Sequence, residues 1–138
     1  MKQMLSVEQS AELIKRGVSA DKASMVCMDF NGTYAYVCGE ESHTVRDCVN
    51  GQFYVEESRV FTLADLLSLL PKEVIADTRF CKNETCPINI RWDYTMGIWF
   101  VVYELVSLPD GIGEDSELIN ALFSTLLWAI DHNHVKLD

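Results

Sequence analysis

Two cysteines separated by four residues are the pair in this sequence whose spacing most resembles that of a metal-binding or redox site. They are Cys81 and Cys86, at the ends of the stretch Cys-Lys-Asn-Glu-Thr-Cys. Two thiolates this close together can form half of a structural zinc site, and two neighbouring thiols can form a redox pair. A structural zinc site needs four cysteine or histidine ligands, usually arranged as two such pairs.

The rest of the sequence does not supply a second pair with metal-ligand spacing. The other candidate ligands are scattered along the chain: Cys27, Cys38, Cys48, His43, His132 and His134. If the last helix continues through them, the imidazoles of His132 and His134 point about 200° apart. A redox role is disfavoured because Cys-x-x-Cys is absent and no sequence neighbour lowers a thiol pKa. We therefore interpret Cys81 and Cys86 as thiols without a chemical role. They remain the weak candidates for a metal site, and we predict no cofactor.

Signatures of nucleophilic catalysis and of phosphate binding are missing as well. The sequence contains no Gly-x-Ser-x-Gly, no Ser-x-x-Lys and no glycine-rich nucleotide-binding motif. Residues 111–117 place two glycines before a predicted helix, but the acidic residues around them would repel a phosphate. Acidic residues at a helix start interact favourably with the helix dipole, which explains them without a ligand. We predict no catalytic residue and disfavour enzymatic activity.

The charge composition excludes several classes of partner. The 138 residues include 11 basic and 21 acidic side chains, which gives a formal net charge of −10. Nucleic acids and anionic membranes are bound through lysine and arginine, so neither partner is predicted. From residue 92 onward, eight acidic residues stand against one lysine. The excess of acidic residues can serve solubility alone. The more specific alternative is that it attracts a basic protein partner.

No segment has the features of a membrane span or of a secretory signal. The longest apolar stretch, residues 97–106, has the length of a strand and contains Glu104. A membrane-spanning helix needs about 20 apolar residues, and a signal peptide needs an apolar core that the first residues lack. We therefore expect a cytoplasmic protein whose thiols are reduced.

The first third of the chain predicts a helix followed by a hairpin. Ser6 and Gln9 form a capping box, Gly17 ends the helix, and its apolar stripe consists of Val7, Ala11 and Ile14. A short helical turn is expected at residues 19–24. Asn31-Gly32 then predicts a two-residue hairpin over residues 25–38. One hairpin face is apolar, and the other is half polar, carrying Cys27, Asp29, Tyr34, Tyr36 and Cys38.

The rest of the chain predicts two more helices and a second hairpin. Residues 39–60 are expected to be mostly loop, with an edge strand at 52–57, before a helix that Thr62 caps and Pro71 ends. A strand near 74–80 precedes a hairpin of residues 88–94 and 98–105. Alternation in the first strand predicts one buried face, formed by Ile88, Ile90, Trp92 and Tyr94. Both tryptophans of the hairpin, Trp92 and Trp99, are interpreted as core residues.

The last helix is expected over residues 116–132, with Asp115 or Ser116 as its cap and Asn133 at its end. Its apolar residues fall within half the circumference: Leu118, Ile119, Leu122, Phe123, Leu126, Leu127 and Ile130. Trp128 lies opposite them on a polar face.

A tryptophan on a polar helix face either packs under another element or marks a contact with a partner or a second copy. Tyr34 and Tyr36 raise the same question, since a covered cross-strand pair is the alternative to a binding surface.

These elements predict a single α+β domain over residues 1–138. We expect a mostly antiparallel sheet built from two hairpins and packed against the N-terminal, central and C-terminal helices.

Three segments also resemble a set of small uncharacterised proteins of bacterial prophages and other mobile elements. The segments are residues 6–18, 61–74 and 115–135, whose shared features are helix caps, leucine stripes and a tryptophan in the last helix. No catalytic residue carries over from that set. The resemblance implies a bacterial cytoplasm and an accessory protein that acts on other proteins.

Three functional hypotheses follow from the sequence. The leading one is a non-enzymatic accessory or interaction protein with an acidic, tryptophan-bearing protein-binding surface that includes Trp128, Tyr34 and Tyr36. The second is a small-molecule-binding domain or minor enzyme, with a pocket between sheet and helices lined by Cys27, Asp29, Tyr34 and Tyr36. The third is a metal protein built on Cys81 and Cys86.

Overall fold

The computed structural model describes residues 1–30, 32–39, 55–78 and 82–137. The backbone groups into two compact units. The N-terminal unit comprises Met4–Asp65, and the C-terminal unit comprises Leu66–Leu137 together with Met1–Gln3. Within the described residues the α+β class is confirmed, and the antiparallel strands form one sheet of three strands and one of four. The prediction of a single domain stays a prediction.

The N-terminal unit begins with helix α1, Val7–Lys15, which starts and ends as the sequence predicts. The Gln9 N–H donates to Ser6 Oγ at 3.0 Å, and the Ser6 N–H donates to Gln9 Oε1 at 3.0 Å. This reciprocal capping satisfies two helix-end donors. Gly17 follows the helix with φ 107, a left-handed conformation that favours glycine. The expected helical turn is also present, as a 3-10 turn at Ala20–Lys22.

The apolar stripe of α1 is not the buried face of the helix. The buried residues are Ser10 and Leu13, whereas Ala11 is exposed and Ile14 is 36% exposed. The reason is a tertiary hydrogen bond: the buried Ser10 hydroxyl accepts from the Phe61 N–H at 3.2 Å. A polar side chain with a partner can occupy a core-facing position, and hydropathy alone does not find it.

The first sheet contains β1 (Met25–Phe30), β2 (Thr33–Cys38) and β3 (Val55–Val60) in the order β2-β1-β3. The predicted hairpin register is confirmed, with Phe30 opposite Thr33 and Met28 opposite Ala35. Strand β3 pairs antiparallel with the other edge of β1. This strand overlaps the expected edge strand at residues 55–57 and corrects the prediction of loop for residues 58–60. The expected edge strand at 52–57 lies partly outside the described residues.

Helix α2, Leu63–Leu69, also has the predicted cap. The Asp65 N–H donates to Thr62 Oγ1 at 3.1 Å, and the Asp65 carboxylate accepts the Thr62 N–H at 2.9 Å. The helix ends before Pro71, as expected of a residue without a backbone N–H donor.

The C-terminal unit contains a four-stranded antiparallel sheet in the order β4-β5-β6-β7. The strands are β4 (Glu73–Ala76), β5 (Glu84–Asp93), β6 (Ile98–Tyr103) and β7 (Glu114–Asp115). The second predicted hairpin is confirmed as β5 and β6, with Asp93 opposite Ile98. Helix α3, Leu118–Asp131, packs against β6 and β7. The Thr125 hydroxyl, which is fully buried, donates to the Val101 carbonyl at 2.6 Å.

The predicted buried face of the second hairpin is largely wrong. Ile90 and Trp92 are each 38% exposed, and Tyr94 is 91% exposed. On the same face, Val101 and Tyr103 of β6 are 0% and 1% exposed. Helix α3 lies against β6, so the end of β5 extends beyond its cover. Trp92 contacts Trp99 edge to face, with ring centroids 5.4 Å apart, and only Trp99 of the two is half-buried.

The start of α3 also differs from the prediction. The helix begins at Leu118, and its N-cap residue Glu117 makes no side-chain capping bond. The Asp115 carboxylate instead accepts the Glu117 N–H at 2.8 Å. At the other end Asn133 has φ 60, the left-handed conformation expected for it. Among the described residues, no helix is long and apolar enough to cross a membrane.

Candidate functional site

A pocket of about 320 Å³ lies in the N-terminal unit beside the start of α1. It is lined by Ser6, Val7, Glu8, Cys27, Asp29, Tyr34, Tyr36 and Ser58. We call it the tyrosine pocket. Its lining includes all four residues that the sequence suggested for a pocket between sheet and helices.

The hairpin register brings these side chains to one face of the sheet. Cys27 of β1 stands opposite Tyr36 of β2, and Asp29 stands opposite Tyr34. Ser58 of β3 stands opposite Cys27 on the other side. Directly opposed residues share a face, and alternate residues along a strand do so as well. The register of Phe30 opposite Thr33 therefore fixes the arrangement, because a shift by one residue would turn all of these side chains to the other face.

The exposure of the lining residues defines a floor and two walls. Cys27 is 3% exposed and forms the floor, whereas Tyr34 and Tyr36 are 61% and 48% exposed. The phenol rings are thus accessible from solvent, and the thiol below them is not. The first turn of α1 contributes Ser6, Val7 and the exposed Glu8 to the rim.

The electrostatics of the pocket favour positive charge. Among the described residues that line it, none is basic, and two are carboxylates, Glu8 and Asp29. The Asp29 carboxylate accepts the Gly32 N–H at 2.7 Å, which orients it. The hydrogen bond with Cys27 raises the pKa of Tyr36, and the charges of Cys27 and Glu8 act in the same direction. The Tyr36 phenol is therefore neutral at physiological pH and offers an electron-rich ring face.

Cys86 is not one of the residues that line this pocket, and it lies in the core of the C-terminal unit. It is 0% exposed and clusters with Val74 and Tyr103. Burial raises the pKa of its thiol, and Sγ donates to the Glu84 carbonyl at 3.5 Å. Cys81 lies outside the described residues. In the described part of the chain, no group of three or more metal-ligating side chains comes together.

Trp128 lies in the same unit, within a cluster of rings. Its ring centroid is 6.0 Å from that of Tyr103, 4.9 Å from that of His132 and 5.1 Å from that of His134. It is half-buried and packs against the cluster of Val74, Cys86 and Tyr103. Trp128 was expected either to pack under another element or to contact a partner. In the structure its ring is packed among other rings. Tyr34 and Tyr36 of the tyrosine pocket are exposed, so their interpretation as a binding surface is the one retained.

Sequence reasoning missed half of the pocket lining. Ser58 belongs to a segment expected to be loop, and Val7 was assigned to the apolar stripe of α1. The helix cap at Ser6 was recognised, but a cap does not indicate which strand the helix end faces. That proximity depends on tertiary packing, for which a single sequence carries no local signal.

Comparisons of the chain with protein-family models, with curated proteins and with solved structures found no match.

Proposed function

We propose that this chain is a non-enzymatic accessory protein that binds a positively charged group of a protein partner in the tyrosine pocket. One observation carries the proposal: two accessible tyrosine rings and two carboxylates line a single pocket whose described lining contains no basic side chain. The resemblance to proteins of mobile elements fits an accessory role of this kind.

The chemistry of the lining selects for ammonium and guanidinium groups. A cation over an aromatic face gains about 0.5–1 kcal/mol at an exposed site and about 2 kcal/mol when it is desolvated. The carboxylates of Glu8 and Asp29 add direct attraction at short range. The net charge of −10 extends this attraction beyond the pocket and speeds the encounter with a basic partner.

The openness of the pocket favours a side chain that projects from a partner. Tyr34 is 61% exposed, so a lysine or arginine held on another protein can reach its ring without any rearrangement of this chain. A free small amine is the second candidate, because the floor at Cys27 is only 3% exposed and offers a recess below the rings. Both candidates share the same cation chemistry, and a titration separates them.

The test is a titration of the isotope-labelled protein followed by amide chemical shifts. One probe is a capped peptide of alternating lysine and alanine, and a second is the same peptide with glutamate in place of lysine. Butylamine is the third probe and represents a free amine. We expect shifts at Tyr34, Tyr36 and Asp29 with the lysine peptide and none with the glutamate peptide.

Two variants and two matched controls complete the test. Tyr34→Ala and Asp29→Asn should each weaken binding of the lysine peptide about three- to tenfold, as expected for the loss of a contact of about 0.7–1.4 kcal/mol. Tyr94→Ala removes a 91% exposed tyrosine outside the pocket and should leave binding unchanged. Asp77→Asn changes a carboxylate that also accepts a backbone N–H, from Asn83 at 3.0 Å, and should be equally silent.

The outcomes separate the candidates. Equal affinity for butylamine and for the lysine peptide would favour a small amine as the ligand. The proposal is wrong if the lysine peptide produces no shifts at the pocket, or if Tyr94→Ala weakens binding as much as Tyr34→Ala.

A further inference from the structure

Strand β5 has an outer edge that β4 covers only in part. Strand β4 pairs with Glu84–Pro87, and the Ile88 N–H donates to the Lys72 carbonyl at 2.8 Å. Beyond Ile88, no residue in the described part of the chain pairs with this edge. Within the described residues, five residues of the strand, 89–93, therefore run along an edge without a neighbouring strand. An edge of this kind is a template for pairing with another chain.

The direction of each backbone group along this edge follows from three hydrogen bonds. The Pro87 carbonyl accepts the Glu104 N–H at 2.9 Å, and the Asp93 carbonyl accepts the Gly97 N–H at 2.8 Å. Odd-numbered residues of β5 therefore point their N–H and C=O groups toward β6. The bond of Ile88 to Lys72 shows that even-numbered residues point outward. Ile90 and Trp92 thus direct their backbone donors and acceptors away from the sheet.

The side chains at this edge present an apolar face and a charged face. Ile90 and Trp92 are each 38% exposed on one face, and Tyr94 at the turn is 91% exposed. The other face carries Arg91 and Asp93, which are exposed and half-exposed. Arg91 lies over the ring of Phe100 at 4.8 Å, which holds the guanidinium near the sheet.

We propose that this edge pairs with the same edge of a second copy of the chain, antiparallel and centred on Trp92. Residues with outward backbone groups must face one another across such a pair. In this register Trp92 faces Trp92 of the second copy, and Ile90 faces its Tyr94. Arg91 then faces Asp93 of the second copy, and the two-fold symmetry repeats that pair.

Charge complementarity selects this register and identifies a second copy as the occupant. A pairing centred on Arg91 would place two arginines directly opposite each other, which is destabilising. A pairing centred on Ile90 would place Arg91 opposite Asn89 and leave the acidic group of Asp93 without a facing cation. Centring on Trp92 forms two opposite-charge pairs on one face and gathers four exposed rings on the other. The edge is thus complementary to itself.

The end of the hairpin is already ordered for pairing. The Asp93 carboxylate accepts the N–H groups of Thr95 at 2.9 Å and of Met96 at 3.0 Å. Little ordering of the turn is therefore needed on association. The charge of −10 on each copy opposes association, so the dimer should strengthen as salt screens this repulsion at long range.

Sedimentation equilibrium over a range of protein concentrations tests the proposal. We expect a monomer–dimer equilibrium for the unmodified chain. Arg91→Glu turns both attractive pairs into repulsive ones and should raise the dissociation constant about tenfold or more. Lys22→Glu makes the same change in net charge at an exposed position of the other unit and is the matched control. Asp93→Asn keeps an acceptor for the turn while removing the charge, and should weaken the dimer by a smaller factor.

Hydrogen exchange on the unmodified chain tests the same proposal without any risk of misfolding. The amides of Ile90 and Trp92 should become protected as the protein concentration rises. The amides of Asn89 and Arg91, which face β6, serve as internal references because they should stay protected at every concentration. A chain that stays monomeric throughout would overturn the proposal. So would a dimer that Arg91→Glu and Lys22→Glu weaken equally, or edge amides protected only when a different protein is bound.

Discussion

The phenol of Tyr103 donates a 2.7 Å hydrogen bond to the main-chain carbonyl of Pro71. Tyr103 is 1% exposed, and burial raises the pKa of its phenol far above the usual range. The hydroxyl therefore stays protonated and remains a donor at every physiological pH. The carbonyl at the end of α2 depends on this donor, which ties the helix end to β6.

Replacing Tyr103 by phenylalanine should destabilise the protein by about 1–2 kcal/mol, because the half-buried Pro71 carbonyl would lose its partner. Urea unfolding of the two proteins measures the difference. Tyr94→Phe is the control, since Tyr94 is 91% exposed and its change should stay within about 0.5 kcal/mol. Equal effects of the two substitutions would show that the hydroxyl of Tyr103 contributes nothing.

Gly113→Ala should be far more destabilising than Gly97→Ala. Both glycines have positive φ, 75 and 67, so both substitutions carry a backbone cost of about 1–2 kcal/mol. At Gly113 an added Cβ would also lie 2.3 Å from the Val101 carbonyl oxygen, whereas at Gly97 it meets no atom of the described residues within 4 Å. Thermal unfolding of the two variants compares them directly. Similar losses would mean that the chain around Gly113 relaxes freely.

Thiol labelling should distinguish the described cysteines. Cys38 is exposed, whereas Cys27 and Cys86 are buried and the pKa of Cys86 is raised by burial. The thiolate is the reactive form, so a maleimide should label Cys38 first in the native protein. Peptide mass spectrometry after timed quenching locates the label. Early labelling of Cys86 would contradict its assignment as an inert core thiol.

Stability should fall on mild acidification because of His134. Burial lowers the pKa of its imidazole below 6.5, and the charge of His132 adds to the effect. The unfolded chain then binds a proton more readily than the folded one, so stability is complete above the unfolded pKa and is lost as pH falls. Urea unfolding between about pH 5.5 and 7.5 measures this slope. His134→Asn should flatten it, and an unchanged slope would assign it to other groups.

The parts of the fold that were predictable are those that local chemistry determines. The reciprocal bonds of Ser6 and Gln9, and those of Thr62 and Asp65, involve residues three positions apart. The Asn-Gly pair likewise determines the β1–β2 register within a few residues, and with it the four hairpin residues of the tyrosine pocket.

The parts that were missed depend on residues far apart in the chain. Ser10 is buried because Phe61, 51 residues later, donates to it. Alternation along β5 correctly places Ile90 and Trp92 on one face, but it cannot show where the cover of α3 ends. The end of strand β3, residues 58–60, was missed because Val55–Val60 mix charged and apolar side chains and the strand partner is distant in the chain.

The strand order of the first sheet has a consequence for synthesis. Strand β1 is the central strand, yet one of its two neighbours, β3, ends at Val60, 30 residues after β1 is complete. During translation β1 can pair with β2 as soon as Thr33–Cys38 has left the ribosome. Its other edge stays unpaired until residue 60 has left the ribosome. For that interval a nascent chain presents the backbone of Met25–Phe30 to its surroundings, and a chaperone or a neighbouring nascent chain could pair with it first.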